Sequence, residues 1–269
     1  MSARWEEQDS DQTRNVLTSR EQKELRALRR RKSREGEGRF LAEGVRVVEE
    51  LLASQLPVHW SAVASSLGDS ERGRGLLEAL RGRGIPCREL SDAEFSRVAD
   101  TEQPQGVLAV AGIPSWELPA LASGSVPRVV LVLDAVQDPG NFGTLVRSAE
   151  ALGAVGVIAL PGTVDPWNAK AIRAAMGSTF RLPVVAASWD DAARWLRGEG
   201  FTILGAAVGG DPVPAGVERA ALVVGNEGAG LSEAVRSSVD SLVGIPLRGR
   251  AESLNVSAAA AILLHELTR

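Results

Sequence analysis

Apolar positions fall into two regimes along the chain. Between residues 39 and 112, short alternating runs and helical stripes follow each other. Arg39–Gly44 reads as a strand closed by glycine, and Val45–Ala53 as a helix with Val47, Val48, Leu51 and Leu52 on one side. Val58–Ala64 predicts a second strand. Glu71–Arg83 predicts a helix with Leu76, Leu77 and Leu80 inward, and Ile85–Leu90 and Val107–Val110 predict further strands. Ser91 and Glu94 stand at capping-box spacing ahead of another helix. Residues 113–127 are rich in Pro, Ser and Gly and read as a linker.

Beyond the linker the strand signals become continuous rather than alternating: Arg128–Leu133, Val155–Leu160, Phe201–Ala207, Ala220–Val224 and Leu242–Ile245. Helical stretches lie between and after them at Phe142–Leu152, Pro166–Met176, Asp190–Arg197, Leu231–Val239 and Asn255–Leu267. Uninterrupted apolar strands separated by helices predict a parallel sheet covered on both faces. The expected organisation is a tail at 1–13, a small α/β domain at 14–112, the linker, and an α/β domain at 128–269.

Composition changes this picture little, and charge changes it more. The 269 residues are 44% hydrophobic and 24% charged, a globular balance, with a net charge of −4. One cysteine and two histidines exclude a disulfide framework and leave too few ligands for a metal centre. No apolar run reaches membrane-helix length and the N-terminal residues lack a signal-peptide core, so the expected location is cytoplasmic. Residues 14–39 carry ten Lys or Arg against four Glu on an otherwise acidic chain. Their centre, Thr18–Lys32, predicts one basic helix with Ser19 as its cap and only Leu25 and Leu28 apolar. Such a helix is either a solvated surface or a phosphate-contacting arm.

Three segments carry candidate chemistry. Asp138–Arg147 joins the first strand of the second domain to a helix. Asn141 there is a helix cap or a ligand group, and Arg147 is a solvated arginine or an anion clamp. Gly225–Ser232 is a glycine-rich strand-to-helix turn that matches neither the dinucleotide fingerprint nor a P-loop, and Glu227 within it disfavours phosphate. Ile245–Ser257 runs into a helix rich in small residues, with Ser253 and Asn255 as candidate caps. Arg173 and Arg181 read as basic groups at the mouth of the site or as salt-bridge partners.

Asn141-x-Gly143 with Arg147, Gly225–Asn226–Glu227–Gly228-x-Gly230–Leu231, and Ile245–Pro246 through Ser253–Leu254–Asn255–Val256–Ser257 together resemble the three motifs of the SpoU/TrmH family of RNA ribose methyltransferases, in the SPOUT superfamily. The first domain is similar, through Phe40–Gly44 and Pro104–Val107, to that family's substrate-binding domain, which resembles an RNA-binding ribosomal-protein fold.

The resemblance implies an α/β protein whose C-terminal parallel sheet holds a deep trefoil knot, preceded by a small RNA-binding α/β domain. It implies S-adenosylmethionine as cofactor, held by Ala206, Val224, Gly225, Asn226, Gly228, Ile245, Leu247 and Leu254. It implies Arg147, Asn141, Glu227, Ser253 and Asn255 as catalytic residues, with Asn141 holding Arg147 or the ribose and Glu227 orienting either. Arg20, Lys23, Arg30, Arg39 and Arg173 are the expected RNA contacts, and Arg26, Arg29, Arg31, Lys32 and Arg34 extend the basic segment. The implied substrate is 23S ribosomal RNA rather than transfer RNA, the implied assembly a homodimer, and no metal is required. The alternatives are a transfer-RNA ribose methyltransferase, a non-catalytic RNA-binding relative, and a small-molecule enzyme on an open α/β sheet. The missing fingerprint and the basic arm speak against the last.

Overall fold

A computed structural model describes residues 17–124 and 127–269. The expected tail at 1–13 lies outside the described residues. The chain divides into two compact units, Met1–Ile113 and Pro114–Arg269.

Unit 1 begins with α1 (Ser19–Leu28) and α2 (Arg31–Glu37). They stand where one helix was expected, and Thr18 rather than Ser19 caps the first, in a reciprocal capping box with Glu21. The break has a physical cause: Arg34 is buried, and its guanidinium donates to the Leu28 carbonyl at 2.7 Å, one of the orphan acceptors at the end of α1. β1 (Arg39–Glu43), α3 (Val45–Ala53), β2 (Val58–Ala64), α4 (Glu71–Gly82), β3 (Cys87–Leu90), α5 (Asp92–Val98) and β4 (Val107–Gly112) follow. The sheet order is β1-β4-β2-β3, with only β2 and β3 parallel. Glu43 is buried at the end of β1. Its carboxylate accepts from the backbone of Asp100 and Thr101 and from the Thr101 hydroxyl, anchoring the loop before β4.

Unit 2 holds a short 3-10 helix (Leu118–Ala122), then β5 (Arg128–Leu133), α6 (Pro139–Ala151), β6 (Gly156–Ala159), α7 (Ala169–Ala175), β7 (Val184–Ala186), α8 (Trp189–Gly198), β8 (Thr202–Asp211), β9 (Arg219–Val224), α9 (Glu233–Arg236), β10 (Ser241–Val243) and α10 (Val256–Thr268). The Pro/Ser/Gly-rich stretch belongs to this unit from residue 114 onward, and Leu121 in it is fully buried in the core. The sheet order is β10-β8-β9-β5-β6-β7, and every pairing is parallel.

Alternate residues of β5 serve opposite faces. Val129, Leu131 and Leu133 pack with α6 and α10, whereas Val130 and Val132 pack with α8. Both faces are therefore covered, as the continuous apolar runs require. All strands point one way, so the loops after β5, β9 and β10 gather at the C-terminal edge of the sheet. That edge is where open parallel sheets bind ligands.

Candidate active site

β5 and β9 are neighbours in register, with Leu133 beside Val224, so their outgoing loops start side by side. Three hydrogen bonds lock those loops together. Asp134 N donates to Val224 O at 2.9 Å, Ser232 N donates to the buried Asp134 carboxylate at 2.6 Å, and Asn226 Nδ2 donates to Ala135 O at 2.9 Å. Ala135 sits at φ +57°, a left-handed conformation that a non-glycine residue adopts only when its surroundings hold it there.

The glycine turn is built around Asn226. Its Oδ1 accepts from Gly228 N at 2.9 Å and Ala229 N at 3.0 Å, and its backbone pairs reciprocally with Gly230. A Cβ on Gly225 would lie 2.1 Å from the Gly230 carbonyl carbon, so only glycine allows the turn to close this tightly. The turn aims Glu227 at the start of α6. Glu227 Oε1 accepts from Asn141 Nδ2 and from Asp138 N, both at 3.1 Å, and its Oε2 accepts from Gln137 N at 3.3 Å. Burial pushes the Glu227 carboxyl up. The hydrogen bonds from Asn141 and from the backbone outweigh that effect and hold it below the usual carboxylate value.

Asn141 is the centre of a relay. Its Oδ1 accepts from Asn255 Nδ2 at 3.1 Å, and its backbone carbonyl accepts from Ser257 Oγ at 3.2 Å. These bonds fix the orientation of both amides. Each carboxamide nitrogen has two N–H groups, so each keeps one for a ligand. The cap of α6 is Asp138, whose side chain accepts from Asn141 N at 2.8 Å, which frees the Asn141 side chain for the relay. Asn255 caps α10 by accepting from Ser257 N at 2.9 Å.

Beside this relay lies a cleft of about 410 Å³. Ala206, Val224, Gly225, Asn226, Gly228, Ile245, Leu247 and Leu254 all line it, and so do Glu227 and Ser253. Asn141, Asn255 and Arg147 do not. Four large apolar side chains are exposed among the described residues, and three of them (Val208, Leu247 and Leu254) border this cleft. Apolar surface left open in a concave site marks a place for a ligand. The segment 245–254 adds polar groups, because its backbone makes no hydrogen bond to another described residue. Apolar walls with free backbone donors and acceptors suit a flat heteroaromatic base and its ribose, and the volume lies within the roughly 300–1,000 Å³ of small-molecule sites.

Arg147 stands apart from the relay. It is exposed on α6, about one and two-thirds turns beyond Asn141, and it bonds to none of Asn141, Glu227 and Asn255. Of the two arginines after it, Arg181 is a salt-bridge partner, held by Glu150 at 2.6 Å, and Arg173 is half-buried in the last turn of α7.

On unit 1, Arg20, Lys23 and Arg26 are exposed along α1, and Arg30 follows it. Arg39 is paired with Glu24 at 2.6 Å. Two further members of the basic segment bond within the unit, one buried and one exposed. Arg34 is buried, and Arg29 donates to the Val98 and Ala99 carbonyls at 3.1 and 2.8 Å. Residues that sequence reasoning passed over include Asp134 and Gln137, and Ser257 enters it only as the end of a motif with no role of its own. Their roles are hydrogen bonds between segments distant in sequence, which leave no periodic signal.

Among the described residues no cluster of three or more His, Cys, Asp or Glu is placed to hold a metal, and no helix is long and apolar enough to cross a membrane.

Comparison with known proteins agrees with this geometry. Residues 128–265 match the SpoU rRNA Methylase family, and residues 20–109 match the MRM3-like substrate binding domain. The chain is 41% identical over 249 residues to the 23S rRNA (guanosine(2553)-2'-O)-methyltransferase RlmP of Bacillus subtilis, covering 91% of this chain and 94% of that protein. It is 34% identical to an uncharacterized tRNA/rRNA methyltransferase of Mycobacterium tuberculosis, covering 87% of this chain and 82% of that one. The AdoMet-bound rRNA methyltransferase of Sinorhizobium meliloti superposes with a TM-score of 0.80 at 29% identity, over 94% of this chain and 95% of that one. The SpoU methyltransferase AviRb of Streptomyces viridochromogenes does so with a TM-score of 0.81 at 29% identity, over 93% and 96%. The chain is a member of the SpoU rRNA methylase family.

Proposed function

We propose that this protein transfers a methyl group from S-adenosylmethionine to the 2′-hydroxyl of a ribose in 23S ribosomal RNA. The observation that carries the reading is the place of Glu227. It lines the cofactor-sized cleft and bonds the Asn141–Asn255 relay, so donor and acceptor sites share a wall. The relative named as a 23S rRNA methyltransferase supports ribosomal RNA as the substrate class.

When bound, S-adenosylmethionine supplies an electrophilic methyl carbon on a sulfonium. Leu247, Leu254, Ile245 and the Gly225–Gly228 backbone would hold it and exclude water from one side of the reacting centre. The free N–H groups of Asn141 and Asn255 orient the ribose, and Ser253 on the cleft wall positions it against the cofactor. Glu227 remains ionised, fixes the Asn141 amide and balances positive charge nearby. Arg147 clamps the neighbouring 3′ phosphate and polarises the 2′-oxygen, whose proton passes to a phosphate oxygen of the substrate or to water as the oxygen–methyl bond forms and the sulfonium becomes a neutral thioether. A guanidinium holds its proton too firmly to act as the base and serves better as this clamp.

Arg20, Lys23 and Arg30, exposed on unit 1, supply a salt-sensitive phosphate contact, to which Arg39 of the same unit adds; Arg173 is a separate RNA contact on unit 2. The enzyme works as a cytoplasmic homodimer with its chain end knotted. The outward residues Ala258 and Ile262 of α10 support a self-contact there.

Tritiated S-adenosylmethionine incubated with unmodified 23S rRNA and with transfer RNA tests the reading. The expected result is label in the ribosomal RNA, recovered on digestion as a 2′-O-methylnucleoside. Label confined to transfer RNA moves the substrate. Label in neither, with a folded protein that binds RNA, makes it a non-catalytic binder.

A further inference from the structure

The cleft is short of charge. Only two of the described residues lining it are ionisable, Glu227 and Arg236. Their situations are opposite. Glu227 has its charge spread over hydrogen bonds from Asn141, Asp138 and Gln137. Arg236 closes α9 and donates its backbone N–H to Ser232 O at 2.8 Å, which holds its Cα in place. Its guanidinium is exposed and makes no hydrogen bond or ion pair with a described residue. Neither acid of matching helical spacing takes it. Glu233, one turn earlier, is not paired with it, and the Asp240 carboxylate accepts instead from Ile203 N at 2.7 Å.

A guanidinium carries five donors and no acceptor, so on the wall of a small-molecule site its complement is an anion. The side of the site on which it stands narrows the choice of anion. Of the groups read above as facing RNA, Asn141, Asn255 and Arg147 do not line the cleft and Ser253 does, whereas Arg236 lines it and bonds to none of them. Arg236 therefore faces the methyl donor. S-adenosylmethionine has one anionic group, the carboxylate of its methionine part, beside a sulfonium and an ammonium.

We propose that Arg236 binds that carboxylate, and so makes the cleft select cofactors that keep their amino-acid end. The proposal rests on the cofactor reading above. It adds a specificity-determining contact from the one charged side chain among the described residues of the cleft wall that is not already engaged with the relay, as Glu227 is.

Isothermal titration of the full-length protein separates the two claims. The probes are S-adenosylmethionine and decarboxylated S-adenosylmethionine, which keeps the adenosine, sulfonium and ammonium and lacks only the carboxylate. The wild type is expected to prefer S-adenosylmethionine by about tenfold, the size of one charge-assisted contact. Arg236→Ala is expected to bind both ligands about as weakly as the wild type binds the decarboxylated one, and Arg236→Lys to keep part of the preference. An unchanged melting temperature shows that Arg236→Ala folds.

A wild type with no preference, or an Arg236→Ala variant that keeps it, overturns the proposal. So does an Arg236→Ala variant with unaltered cofactor binding and a raised KM for RNA, which assigns the arginine to the nucleic acid. A folded wild type that binds no S-adenosylmethionine overturns the cofactor reading, and this proposal with it.

Discussion

Asn255 and Asn141, 114 residues apart, are joined by one hydrogen bond from Nδ2 to Oδ1 at 3.1 Å. Through it the cap of the last helix steers an amide in the first turn of α6, and Asn141 passes the constraint on to Glu227. Asn255 thus has two separable duties: its Oδ1 caps α10 and its Nδ2 feeds the relay. Asn255→Asp keeps the capping oxygen and loses the donor. It is expected to melt near the wild-type temperature while methylation falls about a hundredfold, the scale of a lost positioning or electrostatic group. Asn255→Ala loses both duties and also costs about 0.5–2 kcal/mol of stability through the cap. Thermal melts beside initial rates check both variants.

Glu227 gives a pH signature. Its carboxyl titrates below the usual 4.5 in the folded protein, so the fold favours the ionised form. The stabilisation is complete above the unfolded-state value and is lost as the pH falls from there through the folded value. Glu227→Gln is therefore expected to melt below the wild type at neutral pH, with the gap closing as the pH drops under 4.5. The glutamine also sets an amide against the Asn141 Nδ2 donor, so methylation is expected to fall across the neutral range with no new titration there. Melting temperature against pH for the two proteins is the measurement.

Arg147 is exposed and independent of the relay, so its removal disturbs little structure. Arg147→Ala is expected to lower methylation by about 10²–10³-fold, the usual cost of one transition-state donor. S-adenosylmethionine affinity, read by titration, is expected to stay within about twofold, because Arg147 does not line the cleft. A folded variant that has lost cofactor binding refutes the assigned role.

Much of this architecture was legible in the residues. The apolar runs Arg128–Leu133 and Val58–Ala64 are strands over the expected spans, and Val45–Ala53 is a helix over its expected span, because long periodic segments leave one way to bury their apolar face. The three loops gather at one edge of the second sheet because its six strands run the same way; two of them line the cleft and the first is hydrogen-bonded to them beside it. What stayed hidden was non-local or short. Val184–Ala186 is a three-residue strand with no period to read. Asp138, not Asn141, caps α6, and either residue fits the local pattern. The split of the basic helix depends on Arg34 turning inward, and burial of a guanidinium is the opposite of what composition predicts.

Gly143 shows how a motif position can serve packing alone. A Cβ there would stand 2.4 Å from the Ala174 Cβ and 2.7 Å from both Ala171 O and Ala175 N, so the glycine lets α6 and α7 touch backbone to backbone. Gly143→Ala must part the two helices. The overpacking cost is about 1–3 kcal/mol, seen as a fall of roughly 2–4 °C in melting temperature per kcal/mol for a unit of this size. Asn141 and Arg147 sit on the displaced helix, so methylation is expected to fall with the melting temperature even though Gly143 contacts no reactant.

The basic segment divides into residues bonded within unit 1 and residues free to meet RNA, and the two sets fail differently. Arg34→Ala removes a buried donor from the Leu28 carbonyl and leaves a cavity. It is expected to destabilise the protein by about 1–3 kcal/mol, with RNA affinity lost only as far as folding is lost. Arg20, Lys23 and Arg30 are exposed and take no part in an ion pair with a described residue. Replacing all three with alanine is expected to leave the melting temperature unchanged and to weaken RNA binding at low salt. The loss belongs to the electrostatic part of the affinity, so the slope of log K against log salt is expected to become shallower by about 0.7–0.9 per phosphate contact removed. Binding titrations at several salt concentrations decide the matter. A triple variant whose slope equals that of the wild type takes the arm out of RNA recognition and leaves it a solvated surface.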